Sequence, residues 1–127
     1  MATVVVAAGA ACLDPFAPPP GTSHLDPPPV YPVLWQGVEL CSGLTGDFRR
    51  VHWFVVPQSP FPCGEIECVG LWKTPHDVYL GAAVVNDSLN RYFTVRHEML
   101  HDLLHGGYDH PPVFEQCGLI RIDIGGG

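Results

Sequence analysis

The sequence predicts a small α+β domain, and three features carry that prediction. A chain of 127 residues, 46% of them hydrophobic, supports one domain with a small core. Two stretches, one in each half, space their apolar residues as a helix does. Between them lie β-branched and aromatic runs punctuated by glycine and proline, which read as short strands. The expected order is helix, several strands, a long helix and a C-terminal loop.

The first helix is expected from Val33 to Cys41, where Leu34, Val38 and Cys41 share one stripe and Trp35 sits beside it. The glycines of CSGLTGD stop it. VHWFVVP (51–57) reads as a strand ended by proline, and FPCGEIECVGLW (61–72) as a hairpin or a strand from Ile66 to Trp72. DVYLGAAVV (77–85) reads as a strand from Val78 to about Ala82. NDSLNRYFTVRHEMLHDLLHGG (86–107) carries the strongest helical signal. Asn86, Asp87 or Ser88 is expected to cap it, Leu89, Phe93, Leu100, Leu103 and Leu104 to form its apolar stripe, and Gly106-Gly107 to stop it. GLIRIDI (118–124) alternates weakly and is a candidate for a last strand.

The N-terminal quarter has a different character. Residues 2–11, ATVVVAAGAA, are short, apolar and rich in small side chains, and Cys12 follows directly. This resembles the tail of a bacterial lipoprotein signal, in which the cysteine is lipidated, so residues 1–12 read as a signal remnant; an internal first strand is the alternative. Residues 14–32 contain eight prolines, and 13–32 reads as a spacer behind a lipid anchor or a strap along the domain. Residues 33–127 make the folded domain.

Composition excludes several functions. Six Lys plus Arg and a net charge of −7 leave no basic stripe, so no nucleic-acid partner is expected. No apolar run reaches the ~18 residues of a membrane helix, so contact with a membrane is expected only through a lipid at Cys12. None of the five cysteines forms a CxxC pair, which removes a zinc ribbon or a thioredoxin-like motif and leaves disulfides plus one odd thiol. A monomer is expected.

The chemistry concentrates in TVRHEMLHDLLHGGYDHPP (94–112), where His97, Glu98 and His101 form HExxH. Residues i and i+4 lie one turn apart on one helix face, so both imidazoles can reach one cation. Glu98, one step round the helix, can then act as general base on a water activated by the metal. A catalytic zinc takes three protein ligands. His105 is a poor third, because eight residues of helix from His97 span about 12 Å. It is expected instead at the helix end or in contact with substrate. The third ligand should follow the glycine turn. His110 is preferred, because the glycines allow the chain to reverse and Pro111-Pro112 stiffen it, with Glu115 and Asp109 as alternatives. Tyr108 is a candidate oxyanion donor. Asp102 is expected to be a solvated carboxylate rather than the acceptor for a ligand imidazole. Trp35, Trp53 and Trp72 are expected in the core or the cleft walls. His24, His52 and His76 have no spacing partner and are expected not to be ligands.

At HEMLH, and more loosely over the strand–helix–turn–His arrangement from Val78 to His110, the chain resembles the zincin metallopeptidases. Over about Val30 to Leu119 it is similar to small predicted exported bacterial proteins, often lipoproteins, with segments like CSGLTGD, VHWFVVP, VRHEMLH and DHPPVFEQCG. The resemblance implies a short twisted sheet packed on the N-terminal helix and the long HExxH helix, with Val78–Ala82 as the edge strand that aligns a peptide. It implies one zinc ion on His97 and His101 with Glu98 as base, and peptides or proteins as substrates. It also implies that Cys41 and Cys117 tie the first helix to the loop behind the site, and that Cys63 and Cys68 close a hairpin. Zinc-dependent peptide hydrolysis outside the cytoplasm is therefore the expected function. The alternatives are a zinc-binding module without catalysis and a disulfide-stapled surface binding domain.

Overall fold

The structure is a computed structural model that describes residues 16–106 and 109–120. Cys12, Tyr108 and most of GLIRIDI lie outside the described residues. In chain order the elements are β1 (Ser23–His24), α1 (Val30–Ser42), β2 (His52–Val56), β3 (Phe61–Cys63), β4 (Ile66–Cys68), β5 (Gly70–Lys73), β6 (Asp77–Gly81), α2 (Phe93–Leu104) and α3 (Pro112–Gln116). The fold is a small α+β fold. One four-stranded sheet has the order β1-β2-β6-β5, and β3 and β4 form a separate hairpin. β6 runs parallel to β2 and antiparallel to β5.

Strand periodicity divides the core into two layers. Successive strand residues point to opposite faces. Trp53, Trp72, Val78 and Leu80 therefore face the helices, where they meet Tyr31, Trp35 and Val38 of α1 and Val95, Met99, Leu100 and Leu103 of α2. Val56, Leu71 and Tyr79 face the other way and pack with Phe61 and Cys68 of the hairpin. All three tryptophans are buried, as their apolar area favours.

The proline-rich segment behaves as a strap over its described part. Ser23 and His24 pair with Val55 and Phe54, and the Phe16 ring packs edge-on against Tyr79 at 5.1 Å. The first helix also begins inside the expected spacer, at Val30 rather than Val33. Pro32 falls in its first turn, where the missing N–H is not needed for the helical ladder. Gly43, with φ 76°, closes the other end by donating its N–H to the Glu39 carbonyl.

Further expectations are corrected. The second helix starts at Phe93, not near Ser88. Ser88–Asn90 form a 3-10 turn, and Arg91 and Tyr92 are both left-handed (φ 55° each), a backbone that no α-helix can continue. Leu89 is therefore 96% exposed instead of joining the apolar stripe. The helix stops on a left-handed His105 (φ 53°), one residue before the glycines expected to stop it. The edge strand beside α2 is β5, because Gly70–Lys73 folds back on Asp77–Gly81 and encloses it against β2. Of the two readings of 61–72, the hairpin forms, as β3 and β4, and Gly70–Lys73 adds a separate strand to the sheet. Leu119 and Ile120 are not in a strand.

Tyr31 anchors α1 to the segment before α2. Its hydroxyl is buried and donates to the Val85 carbonyl at 2.7 Å, 54 residues along the chain. Burial, reinforced by Tyr92, pushes the hydroxyl's pKa upward, so it stays a donor. Tyr31→Phe leaves the Val85 carbonyl unsatisfied and is expected to lower stability by about 1–3 kcal/mol. A urea midpoint that falls with unchanged slope would show it.

Candidate metal centre

Helix α2 is buried on most of its circumference, and its polar side chains fall on two faces. His97 and His101, four apart, face the C-terminal segment. Glu98 and Asp102, also four apart, face the edge strand β5. Both pairs are buried, so each needs polar company inside the fold.

The histidine face is completed from outside the helix. His110, from the segment that leads into α3, lies over the pair, with ring centroids 5.0 Å from His97 and 5.1 Å from His101. His97, His101 and His110 each offer one ligand atom, and these atoms all lie within 4.8 Å of one another. Nε2 of His97 and Nε2 of His110 are 3.2 Å apart. Two nitrogens on a tetrahedral zinc would sit about 3.4 Å apart, given zinc–nitrogen bonds of about 2.1 Å. The trio can hold a metal ion.

The supporting contacts suit ligands. His97 Nδ1 meets the Leu119 carbonyl, a contact in which the nitrogen donates and Nε2 keeps its lone pair. Burial lowers the pKa of His110, against a weaker upward pull from Asp109. That favours the neutral imidazole, the form that binds metal. Phe114 packs against all three rings, at centroid distances of 4.9 Å from His97, 4.7 Å from His101 and 4.9 Å from His110. Its role is absent from the sequence reading. Only its place in α3, four residues after His110, hints at it.

The returning segment is fixed covalently. Cys41 of α1 and Cys117 are joined by a disulfide with a Cα–Cα distance of 5.8 Å, and Cys63 and Cys68 close the β3–β4 hairpin by another. Both pairings agree with those implied by the resemblance. Gly118 (φ 67°) then turns the chain so that Leu119 is buried and its carbonyl faces His97.

On the other face, Glu98 is fully buried against β5. Burial pushes its carboxyl well above the usual carboxylate range, and the Trp72 backbone N–H, which donates to it, pulls the other way. Among the described residues its Oε1 has no hydrogen-bond partner. Helix and strand approach so closely here that Gly70 has no room for a side chain. A Cβ at that position would lie 2.6 Å from Thr94 Cγ2 and 3.0 Å from Glu98 Oε2.

Asp102 departs from the expected solvated carboxylate. It is 3% exposed, and its Oδ1 accepts from Trp72 Nε1 and pairs with His76 Nδ1, each at 2.9 Å. The motif alone gives no sign of this, because Trp72 and His76 come from a strand and a turn distant in sequence. The remaining sequence candidates fall outside the histidine trio. His105 is exposed at the helix end beside His76, while Glu115 and Asp109 are exposed. His52 pairs with Asp77 at 3.0 Å, and His24 packs on Phe54.

No protein-family model, no curated protein and no solved structure matches the chain. No helix among the described residues is long and apolar enough to cross a membrane.

The three candidates for the third ligand separate by mutation. His110→Ala is expected to weaken zinc binding by more than the roughly 10–100-fold typical of losing a residue that only supports a ligand. Glu115→Gln and Asp109→Asn are expected to leave affinity within a factor of about two. Competition against a chromogenic zinc chelator reads all three variants.

Proposed function

We propose that the protein is a zinc-dependent peptidase acting outside the cytoplasm. The observation that carries this reading is a buried carboxylate, Glu98, on the same helix as His97 and His101, whose third partner, His110, comes from a separate segment. A site that only stored zinc would need the histidines but not a buried acid beside them. The resemblance of HEMLH to the zincin metallopeptidases points the same way. Imidazole nitrogens suit zinc among the available divalent ions.

A bound zinc ion would supply Lewis acidity, polarising a scissile carbonyl and acidifying a water molecule. His97, His101 and His110 hold that charge, and the Leu119 carbonyl keeps His97 in the tautomer that binds. Glu98 takes the proton from the attacking water on Oε1 and returns it to the leaving amine. The Trp72 N–H holds the carboxylate at the strand edge, so its base stays in register with β5. Peptides and proteins are the proposed substrates, lying along β5. The two disulfides fit an oxidising compartment, where such bonds persist. A lipid at Cys12 would place the enzyme on a membrane surface.

One observation favours a second reading, a zinc-binding module without catalysis. A carboxyl as buried as that of Glu98 is held toward its protonated form, and a protonated acid takes no proton. The two readings separate in one experiment. Zinc-loaded protein is expected to cleave unfolded casein, with fragments read by mass spectrometry. Glu98→Gln is expected to keep the tightly bound zinc and lose roughly 10²–10⁴-fold in rate. Hydrolysis unchanged in Glu98→Gln would sink the mechanism. Zinc bound without any hydrolysis would favour the binding module, and a zinc content near zero would favour a disulfide-stapled binding domain.

A further inference from the structure

Beyond the trio, two further histidines, His76 and His105, stand together beside the buried carboxylate of Asp102. Glu98 and Asp102 lie at i and i+4 on the side of α2 that faces β5, and His105 follows at the residue that closes the helix. His76 comes from the turn between β5 and β6. Its Nδ1 is 2.9 Å from Asp102 Oδ1, and the same oxygen accepts from the Trp72 indole. Asp102 is buried and accepts only, so His76 Nδ1 carries the hydrogen and Nε2 keeps its lone pair. A carboxylate behind an imidazole is the arrangement that fixes the tautomer of metal-binding histidines and strengthens them as donors. The His76 side chain is 18% exposed, which leaves it reachable from solvent.

His105 supplies the neighbour. Its ring lies 5.8 Å from that of His76 at an interplanar angle of 75°. The helical pair His97 and His101 stands at 4.9 Å and 73°, so the outer pair has a similar interplanar angle at a slightly greater separation. His105 holds this place in a left-handed backbone (φ 53°) that a residue with a Cβ adopts at a cost of about 1 kcal/mol.

We propose that His76 and His105 form a second divalent transition-metal site, backed by Asp102 and separate from the His97–His101–His110 centre. Two imidazoles suit Zn²⁺, Cu²⁺ or Ni²⁺ rather than Ca²⁺ or Mg²⁺. With two protein ligands and solvent access, the site binds more weakly than the trio, and water or a carboxylate completes it. The site stands whether or not the protein hydrolyses peptides.

The probe is Zn²⁺ alone, titrated by calorimetry into chelator-stripped full-length protein, with metal content counted by elemental analysis after equilibrium dialysis. The wild type is expected to saturate at two ions in two phases. His76→Gln keeps a donor for Asp102 but removes the imidazole. His105→Gly accepts the left-handed backbone without strain. Each is expected to weaken the second phase at least tenfold and leave the first unchanged, whereas His97→Ala is expected to lose the first phase and retain the second. A wild type that saturates at one ion, or a second phase that persists in the His76→Gln His105→Gly double variant, overturns the assignment.

Discussion

Two histidines one turn apart on a helix can share a cation, but a third further along the same helix cannot, because each turn carries it about 5.4 Å away. The centre therefore depends on bringing a ligand back from another part of the chain. The structure meets this constraint with a short helix led by prolines and with His110, just before it, placed over His97 and His101. The Cys41–Cys117 disulfide ties the segment behind His110 to α1. Phe114 fills the space behind the three rings, and the Leu119 carbonyl reaches His97. One disulfide, one aromatic side chain and one carbonyl thus hold the segment that carries the third histidine.

The side of α2 that faces β5 depends on Trp72. Its backbone N–H donates to Glu98 and its indole N–H to Asp102, so one residue of the edge strand engages two acids one turn apart on the helix. Gly70 lets strand and helix come close enough for this. The position of Glu98 beside the histidines is consequently a property of the sheet as much as of the helix. Packing carries the sheet itself, through Trp53, Val78 and Leu80 on the helix side and Tyr79 and Leu71 on the hairpin side.

Much of this was legible in the sequence where local rules govern. HExxH places His97 and His101 on one face through helical spacing alone, and the helix length that excluded His105 directed attention to His110. The α+β class followed from periodicity. What stayed hidden depends on long-range contacts. Nothing near Asp102 announces that an indole 30 residues earlier will bury it. Nothing in DSLNRY signals two successive left-handed residues, and a leucine at position 89 suggested helix where tertiary structure leaves it exposed. The resemblance implied that Val78–Ala82 is the edge strand, and the pairing of Gly70–Lys73 that encloses it is not visible in a segment that also reads as a hairpin.

The central claim, that three histidines from two segments converge on one ion, is tested most directly by anomalous diffraction from zinc-loaded crystals, recorded on both sides of the zinc absorption edge. The account predicts a strong peak bonded to His97, His101 and His110 at about 2.1 Å from each nitrogen. A peak that omits His110, or one bonded to Glu115 or Asp109 in its place, would contradict it.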